Sequence, residues 1–168
     1  VYEISKDFRN EGIDRTHNPE FTALELYQAY ADYGDMMEIA ENMVSSVAEK
    51  VTGSSQITYQ GQAVDLSPPW DRISMLNAIG ECADIDVRSA DASDLKAVCD
   101  RLGVDVAEGA NRGILIDEIF DATVAPQLIQ PTFVTDYPVE MSPLAKRHRK
   151  EGILTERFEP FICGGEIG

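Results

Sequence analysis

The sequence predicts an α+β domain: an antiparallel sheet flanked by helices, with a helical insertion at about residues 70–128. Three observations predict it. Short β-forming or alternating segments stand toward both ends of the chain, and period two is the signature of a strand. Between them, apolar residues recur at helical spacing and are punctuated by glycine and proline. A length of 168 residues with 43% hydrophobic side chains suits about one domain with its own core.

Residues 1–8 are short and rich in β-formers, which predicts a strand. A polar loop with Asn10, Gly12, Asp14, Asn18 and Pro19 follows. Residues 21–31 alternate Phe21, Ala23, Glu25 and Tyr27 against Thr22, Leu24, Leu26 and Gln28, a second strand. Residues 35–50 start at Asp35, an N-cap type with Glu38 three residues on. They carry Met36, Met37, Ile39, Ala40, Met43, Val44, Val47 and Ala48 at helical spacing, with Gly53 as the stop. Residues 56–66 read as a hairpin around Gln60-Gly61-Gln62, ended by Pro68-Pro69.

From residue 70 to about 128 the pattern is helical and interrupted. It predicts helices over 73–79, over 93–102 with Ser93 as cap and Gly103 as stop, and over 113–123. Residues 132–137, bounded by Pro131 and Pro138, and residues 157–162 read as further strands.

Composition narrows the chemistry. Thirty acidic against 14 basic residues give a formal charge of −16, which argues against a nucleic-acid platform. The one basic run, residues 146–150, reads as a solvated turn. Three cysteines lack paired spacing, and two histidines are too few for a multi-histidine metal site. Neither GxxxxGK[ST] nor GxGxxG occurs, and His17 has no serine-elbow motif to support it. No run approaches the roughly 18 apolar residues of a membrane span. A start on Val1 within a strand, without an initiator Met, is expected of a piece of a larger protein.

The stretch from Phe8 to Tyr27 carries the chemistry. Arg9 and Glu11 sit two apart, so on a strand they share one face, and Phe21, Glu25 and Tyr27 share the matching face of the second strand. Paired as a hairpin, these would put a guanidinium, two carboxylates, a phenyl ring and a phenol on one surface, with His17 overhanging from the loop. Unpaired charge is costly to bury, so this face does not belong to a core. Two readings fit it: a solvated sheet face with cross-strand ion pairs, or a small-molecule site. In the second, Arg takes an anionic oxygen, Phe stacks a flat ring, and Glu with Tyr takes a cation.

The order Phe8-Arg9-Asn10-Glu11-Gly12, Arg15, His17-Asn18-Pro19-Glu20-Phe21-Thr22 and Glu25-Leu26-Tyr27 resembles motif 2 of class II aminoacyl-tRNA synthetases, in the form found in lysyl-tRNA synthetases. Residues 131–138, residues 140–146 and Arg157-Phe158-Glu159 leading to Glu166-Ile167-Gly168 agree, so the resemblance runs end to end and is weakest over 70–128.

The resemblance implies a partial class II catalytic core and the following roles. Arg9 would bind the α-phosphate of ATP and act in catalysis, Glu11 and His17 would contact the nucleotide, and Phe21 would stack on adenine. Glu25 and Tyr27 would receive the ε-ammonium of L-lysine, and Glu159 and Glu166 would hold Mg²⁺. Seven residues apart, those two would fall on opposite faces of a straight strand, so a turn or bulge at Gly164-Gly165 is required. The implied reaction forms lysyl-adenylate and transfers lysine to tRNA(Lys), in a cytoplasmic homodimer with no membrane partner.

The family's dimer-forming motif, anticodon-binding barrel, further lysine-pocket residues and glycine-rich motif with a second ATP-binding arginine lie outside these residues. The piece alone is therefore expected to be inactive, with tRNA gripped mainly elsewhere and aided by the basic run. Gly165 departs from the polar or charged residue common in the family. Two other readings are a synthetase paralogue that lysylates a translation-factor protein and a non-catalytic synthetase-derived binding domain. Glu25-Leu26-Tyr27-Gln28-Ala29-Tyr30 looks more like the tRNA enzyme, and the retained Arg9, Glu11, Glu159 and Glu166 argue against a non-catalytic domain.

Overall fold

A computed structural model describes residues 1–14 and 17–167; Arg15 and Gly168, both part of the family resemblance, lie outside the described residues. The chain divides into two compact units, Val1–Asp32 and Tyr33–Gly168.

The first unit is a hairpin. Strand β1 (Tyr2–Phe8) pairs antiparallel with β2 (Glu20–Leu26), in a register running from Tyr2 opposite Leu26 to Phe8 opposite Glu20. Two bonds between Val1 and Tyr27, each 2.8 Å, extend the ladder at one end, and the Arg9 N–H donates to the Pro19 carbonyl at 2.9 Å at the other. The second strand ends at Leu26, short of the alternation over 21–31, and beyond it Tyr30 takes a positive φ of 58°.

In the second unit, helix α1 (Tyr33–Thr52) begins two residues before the predicted start, so Asp35 lies in its first turn rather than at the cap. There its charge complements the helix dipole. Gly53 ends α1 at φ 84°, as expected. Strands β3 (Gln56–Tyr59) and β4 (Gln62–Asp65) form the predicted hairpin. Gln60 and Gly61 both have positive φ, the turn geometry that matches strand twist.

The 70–128 stretch opens with a strand, a correction to the helix read over 73–79. Strand β5 (Asp71–Ser74) pairs parallel with β6 (Thr132–Thr135), and helix α2 (Met75–Ala83) starts directly after it. Helix α3 (Ala92–Leu102) is capped by Asp91, not Ser93. The Asp91 carboxylate accepts from the Ser93 and Asp94 N–H groups, while Asp94 accepts from the Asp91 N–H in return. Helix α4 (Arg112–Thr123) is capped by Asn111.

Strand β7 (Phe158–Ile162) pairs antiparallel with β6 and with the short β8 (Gly165–Glu166), giving the sheet order β5-β6-β7-β8. This sheet is therefore mixed, where the sequence predicts an antiparallel one. Strand β6 stops at Thr135 because Asp136 takes φ 61°.

Alternation along β6 divides the core. Val134 faces the helix side with Met75, Ile79, Leu95, Ile116, Phe120 and Phe161, while Phe133 faces Met37, Val64, Leu66 and Trp70 under α1 and the β3–β4 hairpin. Phe133 stacks on Trp70 at 5.1 Å and meets Phe158 edge-on at 5.2 Å. Glu41 of α1 is buried but satisfied, accepting from the Trp70 N–H at 2.8 Å and from Arg72 at 3.1 Å. Among the described residues no helix is long and apolar enough to cross a membrane.

Candidate functional site

In the hairpin unit the face bearing Phe21, Ala23 and Glu25 also bears their partners Asp7, Ser5 and Glu3. Glu3 stands directly opposite Glu25, and the Tyr27 hydroxyl donates to Glu25 Oε2 at 3.1 Å. The Glu25 hydrogen bond and charge, then desolvation and last the Glu3 charge, push the Tyr27 phenol above its ordinary pKa. Like charges opposite one another on a sheet repel. An ammonium between them would relieve that repulsion by donating N–H bonds to both carboxylates. The sequence analysis does not single out Glu3, because only the strand register brings it opposite Glu25.

Arg9 and Glu11 are not on the strand, which corrects the expected shared face. Strand β1 ends at Phe8, and the Glu11 N–H donates to the Arg9 carbonyl at 2.9 Å, turning the chain. The Arg9 guanidinium instead folds over the Phe21 ring, 5.3 Å from its centroid. His17 is held by Asp14: its N–H donates to Oδ1 at 2.7 Å and its Nδ1 lies 2.9 Å from Oδ2. That hydrogen bond and charge raise the imidazole pKa, with Glu11 adding to the rise and Arg9 opposing it. Asp14 was also missed, although its spacing to His17 is legible in the sequence.

The larger unit carries the other two predicted residues. Cys163 and Gly164, at φ 52° and 80°, turn β7 back into β8 and put Glu166 opposite Phe161. Glu159, two residues before Phe161, thus shares its face with Glu166. The required turn exists, centred one residue earlier than predicted. Both carboxylates line a cavity of about 480 Å³ with Asp117, Asp121 and Tyr137.

The Tyr137 hydroxyl donates to Glu159 Oε2 at 2.7 Å, and Arg157 pairs with Oε1. Burial pushes the Tyr137 phenol well up, so it stays a donor. Surrounding protein and neighbouring carboxylates also raise Asp117 and Asp121, with Arg157 opposing the rise at Asp117.

Among the described residues, no group of three or more His, Cys, Asp or Glu is gathered tightly enough to cage a metal ion. Two hard oxygen donors nevertheless fit Mg²⁺, which is usually held by one or two carboxylates together with substrate phosphates. Glu159 and Glu166 would supply them.

The basic run is largely solvent-exposed, as the sequence predicts, but part of it is engaged by a buried carboxylate. Lys146 Nζ and Arg149 Nε lie 3.0 and 2.5 Å from Glu156, whose side chain is only 3% exposed. Arg147 donates to the Gly152 carbonyl at 3.2 Å.

The family model for class II tRNA synthetases (D, K and N) matches residues 1–168. A protein named lysine–tRNA ligase from Carboxydothermus hydrogenoformans is 55% identical over 168 residues, covering 99% of this chain and 34% of the relative. A lysine–tRNA ligase from Moorella thermoacetica is 51% identical with the same coverage, and one from Porphyromonas gingivalis is 49% identical over 99% of this chain and 29% of its own. The chain spans about a third of the length of these relatives.

Proposed function

The chain belongs to the class II tRNA synthetases (D, K and N), and from that premise we propose that it is part of the catalytic domain of a lysine–tRNA ligase. The observation that carries the reading is the acidic pair Glu3–Glu25 with Tyr27 on one face of the hairpin, a receptor for a cationic side chain. The names of relatives about half identical along its length support it. Residues 70–128 are read as a largely helical insertion in that domain. The whole enzyme is read as a cytoplasmic homodimer acting on ATP, L-lysine and tRNA(Lys).

In the reaction, a carboxylate oxygen of lysine forms a bond to the α-phosphorus of ATP, and the bond to the β-phosphate oxygen breaks with its electron pair leaving on pyrophosphate. A terminal ribose hydroxyl of tRNA then attacks the lysyl carbonyl, and AMP departs. Neither step needs a protein nucleophile, so the chain's contribution is placement and charge.

Glu25 and Tyr27 orient lysine by its ε-ammonium. Arg9 leaves the Phe21 ring for the α-phosphate, and the freed ring face takes adenine. Glu11 and His17 contact the nucleotide from the loop. When bound to Glu159 and Glu166, Mg²⁺ supplies neutralisation of phosphate charge. Lysine-dependent ATP–pyrophosphate exchange by the full-length protein, followed by charging of tRNA(Lys), tests the reading. Exchange that depends on another amino acid overturns it.

A further inference from the structure

We propose that Tyr137 is a positioning residue for the metal site, holding the Glu159 carboxylate in the orientation from which it takes the cation. The inference rests on reading Glu159 as a ligand of Mg²⁺ and goes beyond it, since no ligand role is assigned to Tyr137 itself.

Glu159 is gripped from both sides. Tyr137 donates to Oε2 at 2.7 Å, and Arg157 pairs with Oε1. A carboxylate offers about four acceptor positions, so each oxygen keeps a lone pair for a ligand in the cavity that Glu159 shares with Glu166.

Both holding groups are themselves fixed. The Tyr137 ring is buried, and the Arg157 guanidinium lies 4.8 Å from its centroid. Arg157 Nη1 donates to Ser142 Oγ, also buried, at 2.6 Å. The Tyr137 carbonyl accepts from Thr155 twice, from its N–H at 2.8 Å and its hydroxyl at 2.9 Å. A purely packing role would be filled by phenylalanine. The hydroxyl is aimed instead at a proposed ligand, and the glutamate's rotational freedom is spent on folding rather than on metal capture.

The test uses the full-length enzyme with Mn²⁺ as the probe, titrated by electron paramagnetic resonance in the presence of a non-hydrolysable ATP analogue. Tyr137→Phe, Glu159→Gln and the double variant are compared with the parent. Affinity and stoichiometry are fitted separately, so a partly unfolded preparation lowers the second and leaves the first interpretable. The expected result is a loss of roughly tenfold or more in Mn²⁺ affinity for Tyr137→Phe, no further loss when it is added to Glu159→Gln, and an unchanged lysine KM. Parental affinity in Tyr137→Phe alongside a loss in Glu159→Gln overturns the positioning role alone. Parental affinity in Glu159→Gln overturns the ligand reading and the proposal with it.

Discussion

The guanidinium carbon of Arg9 lies over the ring of Phe21, 5.3 Å from its centroid. Two groups with separate proposed ligands, a phosphate and a purine, thus stand against one another. Arg9→Ala in the full-length enzyme is expected to lower lysine-dependent ATP–pyrophosphate exchange roughly 10²–10³-fold. Phe21→Ala should raise the ATP KM about tenfold, within the range of one lost base stack. Near-normal exchange in the Arg9 variant would remove it from the phosphate.

Glu25 faces Glu3 and holds the Tyr27 hydroxyl. Losing one charged hydrogen-bond partner of an ammonium costs about 1.5–3 kcal/mol. Glu25→Gln is therefore expected to raise the lysine KM roughly 10–100-fold and to leave the ATP KM nearly unchanged in steady-state exchange kinetics. Equal shifts in both would separate Glu25 from the ammonium.

Hydrogen bonds from Arg149 and Lys146 lower the Glu156 pKa from 4.5 to about 2. A carboxyl depressed on folding stabilises the native state fully above its unfolded pKa, and loses that contribution as pH falls through the folded one. Thermal melting should therefore show a drop in Tm between about pH 4.5 and pH 2 that is shallower in Glu156→Gln. Parallel profiles would show that this ion cluster adds nothing to acid stability.

Phe133 is fully buried between Trp70 and Phe158. Truncation to alanine leaves a cavity beneath α1, and the expected cost is about 3–5 kcal/mol in denaturant unfolding. A loss under 1 kcal/mol would mean that the site collapses around the gap.

The Asp91 cap gives a sharper local test. Asp91→Ala should destabilise by about 1 kcal/mol, whereas Ser93→Ala, inside the first turn, should do much less. The reverse order would restore Ser93 as the cap.

Features legible in the chain depend on near neighbours. The Gln60-Gly61 turn, the Gly53 and Gly103 helix ends and the two hairpin strands follow from side chains within a few residues of each other. Asp91 lay two residues from the predicted cap, because both Asp91 and Ser93 are good caps and only the reciprocal bond with Asp94 chooses between them. Ile73 and Ser74 read as helix because their helical spacing is local, while their strand pairing with Val134 and Thr135 is not. Arg9 and Glu11 left the strand through a turn that alternation does not encode.

In the sequence stand, in motif order, the groups proposed by family resemblance to serve a nucleotide, an ammonium and a cation: Arg9, Glu11, His17, Phe21, Glu25, Tyr27, Glu159 and Glu166. Motif order is written in the chain and requires no packing to be seen. Only the tertiary structure decided that Glu3 faces Glu25, that the Cys163-Gly164 turn puts Glu159 and Glu166 on one face, and that Tyr137 and Arg157 grip Glu159. Those relations depend on strand register, hairpin closure and burial of distant segments against a shared core, which no local pattern specifies.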